Sequence, residues 1–160
     1  SATYLEQIDK IREIIPDAAI TTDIIAGFCS ETEEDHQATI ELMKNVKFDS
    51  AFMFQYSQRP NTKAARHFED DVPLETKTRR LNEIIELQSA ISLERNKDCI
   101  GKIYEVLIEG TSKRDSDQLF GRTLGNKVCV FSAPGYKAGD YAKVKVESCT
   151  SATLIATLIE

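Results

Sequence analysis

Near Asn96 the spacing of the apolar residues changes from the ~3.6-residue repeat of an amphipathic helix to the alternation of a half-buried strand, so two kinds of architecture share this chain. Upstream, Leu81, Ile84, Ile85, Gln88, Ile91 and Leu93 define the inner face of a helix that starts at Pro73, where proline suits a first turn, and runs to about Asn96. Downstream, Tyr104–Glu109, Asp117–Thr123, Lys127–Phe131, Tyr141–Glu147 and Ala152–Ile159 alternate, with Gly110, Gly125, Pro134-Gly135 and Gly139-Asp140 between them. Five short strands with such turn signals predict a small five-stranded antiparallel β-barrel. The chain therefore reads as α/β plus all-β: residues 1–95, with a linking helix over 73–96, and a barrel over 97–160.

The α/β half has its own rhythm. Tyr4, Leu5, Ile8, Ile11, Ile14 and Ile15 recur at helical spacing until Pro16 ends the pattern. Ala18 to Phe28 is apolar and β-branched, as expected of a parallel strand covered on both faces. Ser30 or Thr32 can cap a helix to about Val46, with Glu33, Glu34 and Asp35 favoured by the dipole of its first turn. Phe48 to Tyr56 supplies a second strand, and 57–72 reads as a loop. Two strands and three helices leave a parallel sheet incomplete, and there is no starting Met. The expectation is that further strands precede Ser1, and that the piece alone self-associates or shows an apolar face.

Charge is distributed unevenly. The net charge of −6 over 160 residues argues against a protein that simply coats nucleic acid. Residues 1–95 carry 11 Lys/Arg against 18 Asp/Glu and residues 96–160 carry 9 against 8, so only the second half has an electrostatic case for RNA. The apolar runs fall short of the ~20 residues of a membrane span. Cys29, Cys99, Cys129 and Cys149 are scattered, without the close spacing of zinc or iron–sulfur ligands, and read as reduced thiols of a cytoplasmic protein.

Few side chains stand out for chemistry. Gly27 lets the backbone approach a ligand at the carboxyl end of its strand, where Phe28 could stack on adenine. Asp23, Gly27 and Glu31 equally suit a βα turn with a polar strand residue and a dipole-matched helix start. Arg59 could grip a carboxylate bidentately, or pair with a neighbouring Asp; Tyr56 and Ser57 could hold ribose hydroxyls or backbone. His36 is expected on the exposed side of its acidic helix, and no Ser or Cys has the partners of an acyl-transfer triad. In the barrel half, Lys113, Arg114, Arg122, Lys127, Lys137, Lys143 and Lys145 lie among Tyr104, Phe120, Phe131, Tyr136 and Tyr141. That mixture suits phosphate pairing and base stacking, and it equally suits any solvated barrel.

Longer stretches carry a family resemblance. Thr22-Asp-Ile-Ile-Ala-Gly-Phe-Cys-Ser-Glu-Thr-Glu-Glu-Asp35 closely resembles the late barrel strand and following helix of radical S-adenosylmethionine methylthiotransferases, with Cys29-Ser30 in place of the usual Pro-Gly. Phe54-Gln-Tyr-Ser-Gln-Arg-Pro-Asn-Thr62 is similar to the family's Tyr-Ser-x-Arg-Pro-Gly-Thr element, with Asn61 replacing Gly. The segment from Leu81 to Asn96 resembles its linking helix, and Gly121-Arg-Thr-Leu-Gly-Asn-Lys-Val-Cys-Val-Phe131 is similar to the core of the TRAM domain, an OB-like RNA-binding barrel.

The resemblance implies the C-terminal part of a (β/α) radical-SAM barrel joined to that RNA-binding barrel. It implies a parent enzyme that uses S-adenosylmethionine and two [4Fe-4S] clusters, served by an electron donor, to add a methylthio group to adenosine in a tRNA anticodon stem-loop. The family's Cys-x-x-x-Cys-x-x-Cys motif and its N-terminal cluster cysteines have no counterpart here, so this chain alone is expected to hold no cluster and to be inactive. By position, Arg59 takes the catalytic side of the barrel mouth, and Asp23, Gly27, Phe28, Glu31, Tyr56 and Ser57 take the cofactor side. Lys113, Arg114, Arg122, Asn126 and Lys127 face the tRNA. Phe52-Met-Phe-Gln-Tyr-Ser with Arg59 best resembles the branch acting on isopentenyl-adenosine; the threonylcarbamoyl-adenosine branch usually has Pro where Gln55 stands. The competing expectation is a non-catalytic RNA-binding adaptor built on the same barrel.

Overall fold

The computed structural model describes residues 2–112 and 115–159. They form two compact units, one of residues 2–5 with 20–91 and one of residues 6–19 with 92–112 and 115–159. Helix α1, Ala2–Ile14, and helix α4, Leu74–Lys97, each contribute to both.

In the first unit, strands β1 (Thr21–Ala26) and β2 (Ser50–Gln55) pair in parallel, from Thr21 opposite Ser50 to Ala26 opposite Gln55. Parallel neighbours need a crossover, and α2 (Glu33–Val46) supplies it. Its start is fixed by a capping box: the Thr32 hydroxyl accepts from the Asp35 amide, and the Asp35 carboxylate accepts from the Thr32 amide. Lys47 ends it in the left-handed region. Ile40, Met43 and Val46 of α2 are buried, as are Phe48, Val72 and, on α4, Ile84 and Ile91.

The expectation of strands covered on both faces does not hold among the described residues. Burial alternates along β1 and β2, and Ile25, Phe52 and Phe54 are more than half exposed at 52%, 63% and 55%. One face is covered and the other is an open apolar surface. The 57–72 segment also contains a short helix, α3 (Lys63–His67), capped by the Thr62 hydroxyl. It carries too few apolar residues to announce itself by period.

The second unit contains a closed barrel of β3 (Ile103–Thr111), β4 (Leu119–Thr123), β5 (Val128–Phe131), β6 (Tyr141–Cys149) and β7 (Leu154–Leu158). Its order is β3-β4-β5-β7-β6. All neighbours are antiparallel except β5 and β7, which run parallel with Cys129 opposite Leu154, so the ring is mixed rather than wholly antiparallel. Register shifts on β3 between Ile108 and Gly110, and on β6 between Val146 and Ser148, supply the bends that closure needs. Val106, Ile108, Cys129, Phe131, Val144, Val146 and Leu154 fill the interior. Gly121 is required on β4, because a Cβ there would lie 2.2 Å from the Leu107 carbonyl oxygen.

Candidate functional site

The carboxyl ends of β1 and β2 meet at one rim of the first unit, where the ladder extends by one hydrogen bond from the Tyr56 amide to the Ala26 carbonyl at 2.8 Å. Gly27 follows with φ of +72°, a left-handed conformation that a side chain strains. Ser30 adopts φ of +63°, held by its amide and hydroxyl donating to Asp71 at 2.7 and 3.2 Å. The resulting turn presents Phe28 outward. Its ring stands edge-on to Tyr56 at 4.9 Å and to Phe68 at 6.3 Å between centroids.

The sequence-derived residues gather here, although not all offer free polar groups. Asp23 shares the open face of β1 with Ile25, directly opposite Phe52. Glu31 is not turned to a ligand: its carboxylate accepts from the Gly27 amide at 2.7 Å and from Arg80 at 2.8 Å. The Gly27 N–H is therefore committed as well, and what Gly27 contributes is shape. The Tyr56 phenolic oxygen is buried beside the Cys29 thiol, and hydrogen bonding to that thiol together with desolvation pushes its pKa up to about 12. Arg59 and Ser57 are exposed, and of the two roles open to Arg59 the pairing with a neighbouring Asp is not seen among the described residues. A cleft of about 320 Å³ lies between Ile25, Phe54, Tyr56, Ser57, Arg59 and Thr62. Apolar walls, one exposed guanidinium and a tyrosine hydroxyl suit a ligand that joins a carboxylate to a flat, partly apolar ring system.

Behind this rim, α4 supplies residues that the sequence patterns did not single out. Lys77, 5% exposed, pairs with Asp70 and places its ammonium 5.2 Å from the Tyr56 ring centre. Arg80, 4% exposed, also reaches the Glu31 carbonyl at 2.9 Å and Glu33 at 3.3 Å. His36 corrects its expectation: it is fully buried, with Nε2 2.7 Å from Glu83. Helix spacing put it among acidic neighbours, but its partner lies on another helix and is invisible to local pattern. Arg79 bridges Glu33 and Glu83 at 2.6 and 2.7 Å, so the acidic start of α2 is neutralised from α4.

On the barrel, Lys113 and Arg114 lie outside the described residues. Arg122 donates to the Asn126 carbonyl at 3.2 Å, to its side-chain oxygen at 3.1 Å, and to Glu109 at 3.2 Å. Those bonds tie down the β4–β5 turn, in which Asn126 adopts φ of +61° and Leu124 stands fully exposed. Lys127 donates to Asn96 at 2.9 Å, and Asn96 in turn donates to the carbonyls of Thr150 and Ser151. Arg122 and Asn126 are thus brought together, whereas Lys127 serves as a tether.

Metal chemistry finds no home among the described residues. No three His, Cys, Asp or Glu side chains group to hold an ion, so they do not fit an iron–sulfur cluster. The four cysteines are free. No helix among the described residues is long and apolar enough to cross a membrane.

Comparison with known proteins adds a further finding. Residues 97–159 match the TRAM domain. The chain is 56% identical over 151 residues to a tRNA-2-methylthio-N(6)-dimethylallyladenosine synthase of Bacteroides thetaiotaomicron, covering 94% of this chain and 33% of that protein. It is 54% identical over 157 residues to the synthase of the same name from Porphyromonas gingivalis, covering 98% and 34%. With that of Chlorobium phaeobacteroides it shares 56% over 154 residues, covering 96% and 34%. The chain spans about a third of the length of the curated relatives it matches.

Proposed function

The chain belongs to the family of these tRNA-2-methylthio-N(6)-dimethylallyladenosine synthases, and from that membership we propose that it works in tRNA modification, in the methylthiolation of isopentenyl-adenosine beside the anticodon. In this reading it contributes two working surfaces of a cytoplasmic transferase. The rim at the carboxyl ends of β1 and β2 takes S-adenosylmethionine, and the TRAM barrel takes the anticodon stem-loop. The observation that carries the first assignment is the exposed Arg59 guanidinium beside Tyr56 and Ser57, at the mouth of a cleft walled by Ile25 and Phe54.

S-adenosylmethionine, when bound, supplies the activated methyl group and the source of the radical. This chain's own residues bind and orient. Arg59 grips the ligand's carboxylate through its planar fork. The Tyr56 hydroxyl, protonated at neutral pH as any tyrosine is, can turn from Cys29 to donate to the ligand. Phe28 offers an aromatic face to the adenine, and the open apolar surface of β1 and β2 keeps water from the reacting centre once covered. The two [4Fe-4S] clusters and the electron donor would act through residues other than those described. The same apolar surface would drive self-association where nothing covers it.

On the barrel, Arg122 and Asn126 would orient the β4–β5 turn against the RNA backbone, and Lys113 and Arg114 would add charge. The test replaces Arg59 by Ala in the complete gene product, reconstituted with iron and sulfide. Loss of S-adenosylmethionine binding and of methylthio transfer is expected, and wild-type turnover would sink the assignment. For the barrel, Arg122→Ala should weaken tRNA binding, and the wild-type affinity should fall as salt rises, as phosphate contacts require. Salt-independent binding would refute it.

A further inference from the structure

Two buried cations on α4 hold the candidate cofactor rim from behind. The Lys77 stem crosses the bare face of Gly27 so closely that a Cβ there would lie 2.3 Å from Lys77 Cγ. The same side chain ends on Asp70 and over the Tyr56 ring. One turn further along the helix, Arg80 fixes Glu31 through both its carbonyl and its carboxylate, and that carboxylate captures the Gly27 amide. The outward-facing Phe28 is thereby pinned on both sides, at Gly27 and at Glu31, and its edge-on partner Tyr56 is pinned by the same lysine.

Stability alone is a poor reason for this arrangement. Burying an ion pair costs about as much in lost hydration as it returns, and apolar residues of similar volume commonly pack as well. What buried, directional bonds do provide is one geometry. Neither cation can reach a ligand itself, since Lys77 and Arg80 are only 5% and 4% exposed.

We propose that Lys77 and Arg80 are positioning residues for the nucleoside end of S-adenosylmethionine, setting the Gly27–Glu31 turn and the Tyr56 ring in the arrangement that accepts it. This rests on the cofactor reading given above. Helix α4 is then more than a connection between the two units: its first turns are part of the cofactor site.

The test uses Lys77→Met, Arg80→Met and, as a partner that is 30% exposed and tolerant of truncation, Asp70→Ala, all in the complete gene product. S-adenosylmethionine affinity is measured by equilibrium dialysis, KM and kcat for its cleavage by steady-state kinetics, and protection of residues 27–31 by hydrogen exchange. Kd and KM should rise roughly tenfold, the scale of one lost charge-assisted hydrogen bond. Turnover at saturating ligand should be retained, and exchange at 27–31 should quicken. Should Lys77→Met fail to fold, Asp70→Ala reads the same contact. Wild-type affinity in Arg80→Met and Asp70→Ala, or loss of kcat with KM unchanged, would overturn the proposal while leaving the cofactor reading intact. A wild-type protein that binds no S-adenosylmethionine would overturn both.

Discussion

Replacing Gly27 by Ala should destabilise the first unit by about 3–6 kcal/mol, although it adds only a single methyl group, because Gly27 is buried. The left-handed backbone, at φ of +72°, costs an alanine roughly 1–2 kcal/mol. The larger part comes from Lys77, whose Cγ lies 2.3 Å from the new Cβ and must therefore leave. When it does, a charge-assisted bond to Asp70 worth roughly 1.5–3 kcal/mol is lost. The contact over Tyr56, worth about 0.5–1 kcal/mol, goes with it. The two parts separate in a double-mutant cycle. In a Lys77→Ala background the obstructing Cγ and Cδ are gone and only the Cβ contact at 3.0 Å remains, so the glycine substitution should fall towards the backbone cost of about 1–2 kcal/mol. Native-state hydrogen exchange of the Tyr56 amide, bonded across to Ala26, reports opening of this unit without interference from the barrel. An equal cost in both backgrounds would refute the packing argument, and a cost below about 1 kcal/mol would refute the backbone one as well.

Acid should weaken the first unit through its paired carboxylates. Arg79 holds Glu33 down to about 2, the Thr32 amide lowers Asp35, the Ser30 amide lowers Asp71 and His36 lowers Glu83. Each folded value lies below its unfolded one, so the unfolded chain binds more protons in this range and stability falls with pH. Melting temperature should hold from neutral pH to about 5 and then decline between about 4.5 and about 2, where Glu33 titrates. A melting temperature unchanged down to pH 3 would count against these pairings. In the barrel, Cys129 is fully buried and its thiol is pushed up to about 12 by desolvation. It should resist a thiol reagent at pH 8 until the protein is denatured, while the half-buried Cys149 reacts first; prompt labelling of Cys129 in the native state would contradict the closed core.

The parts of the fold that local chemistry controls were legible. The Thr32 cap with its acidic first turn, the proline-started helix from 73, and the alternation along β3 to β7 are properties of adjacent residues, and the structure carries them within a few positions. The parallel pairing of β5 with β7 was not legible. It depends on where a strand lies in a closed ring, and alternation says only that each strand has an inside. Double coverage of β1 is absent among the described residues, and its open side, with Ile25, Phe52 and Phe54, is the apolar face expected of the piece alone, since β-branched apolar residues fit a buried strand and an open apolar one equally.

The candidate site was legible as positions and not as partners. Gly27, Phe28, Tyr56 and Arg59 announced themselves by type and place. Glu31 was expected at a ligand, yet its bond to Arg80 spans 49 positions, and His36 meets Glu83 across 47. No spacing rule reaches that far. Lys77 and Arg80 looked like two more charges on a helix because their burial is produced by the loop and turn folded over them.

Strand β7 sits between β5 and β6, the two open edges of the β5-β4-β3-β6 series, and pairs with both to close the ring. During synthesis, four strands can emerge from the ribosome and pair in part, yet the gap stays open until residues 154–158 are free. The barrel interior, including Cys129 and Phe131, is therefore wetted until then, and nascent chains stalled before that point expose two unsatisfied strand edges. Closure of the barrel, and with it the shielding of that interior, would hinge on residues 154–158.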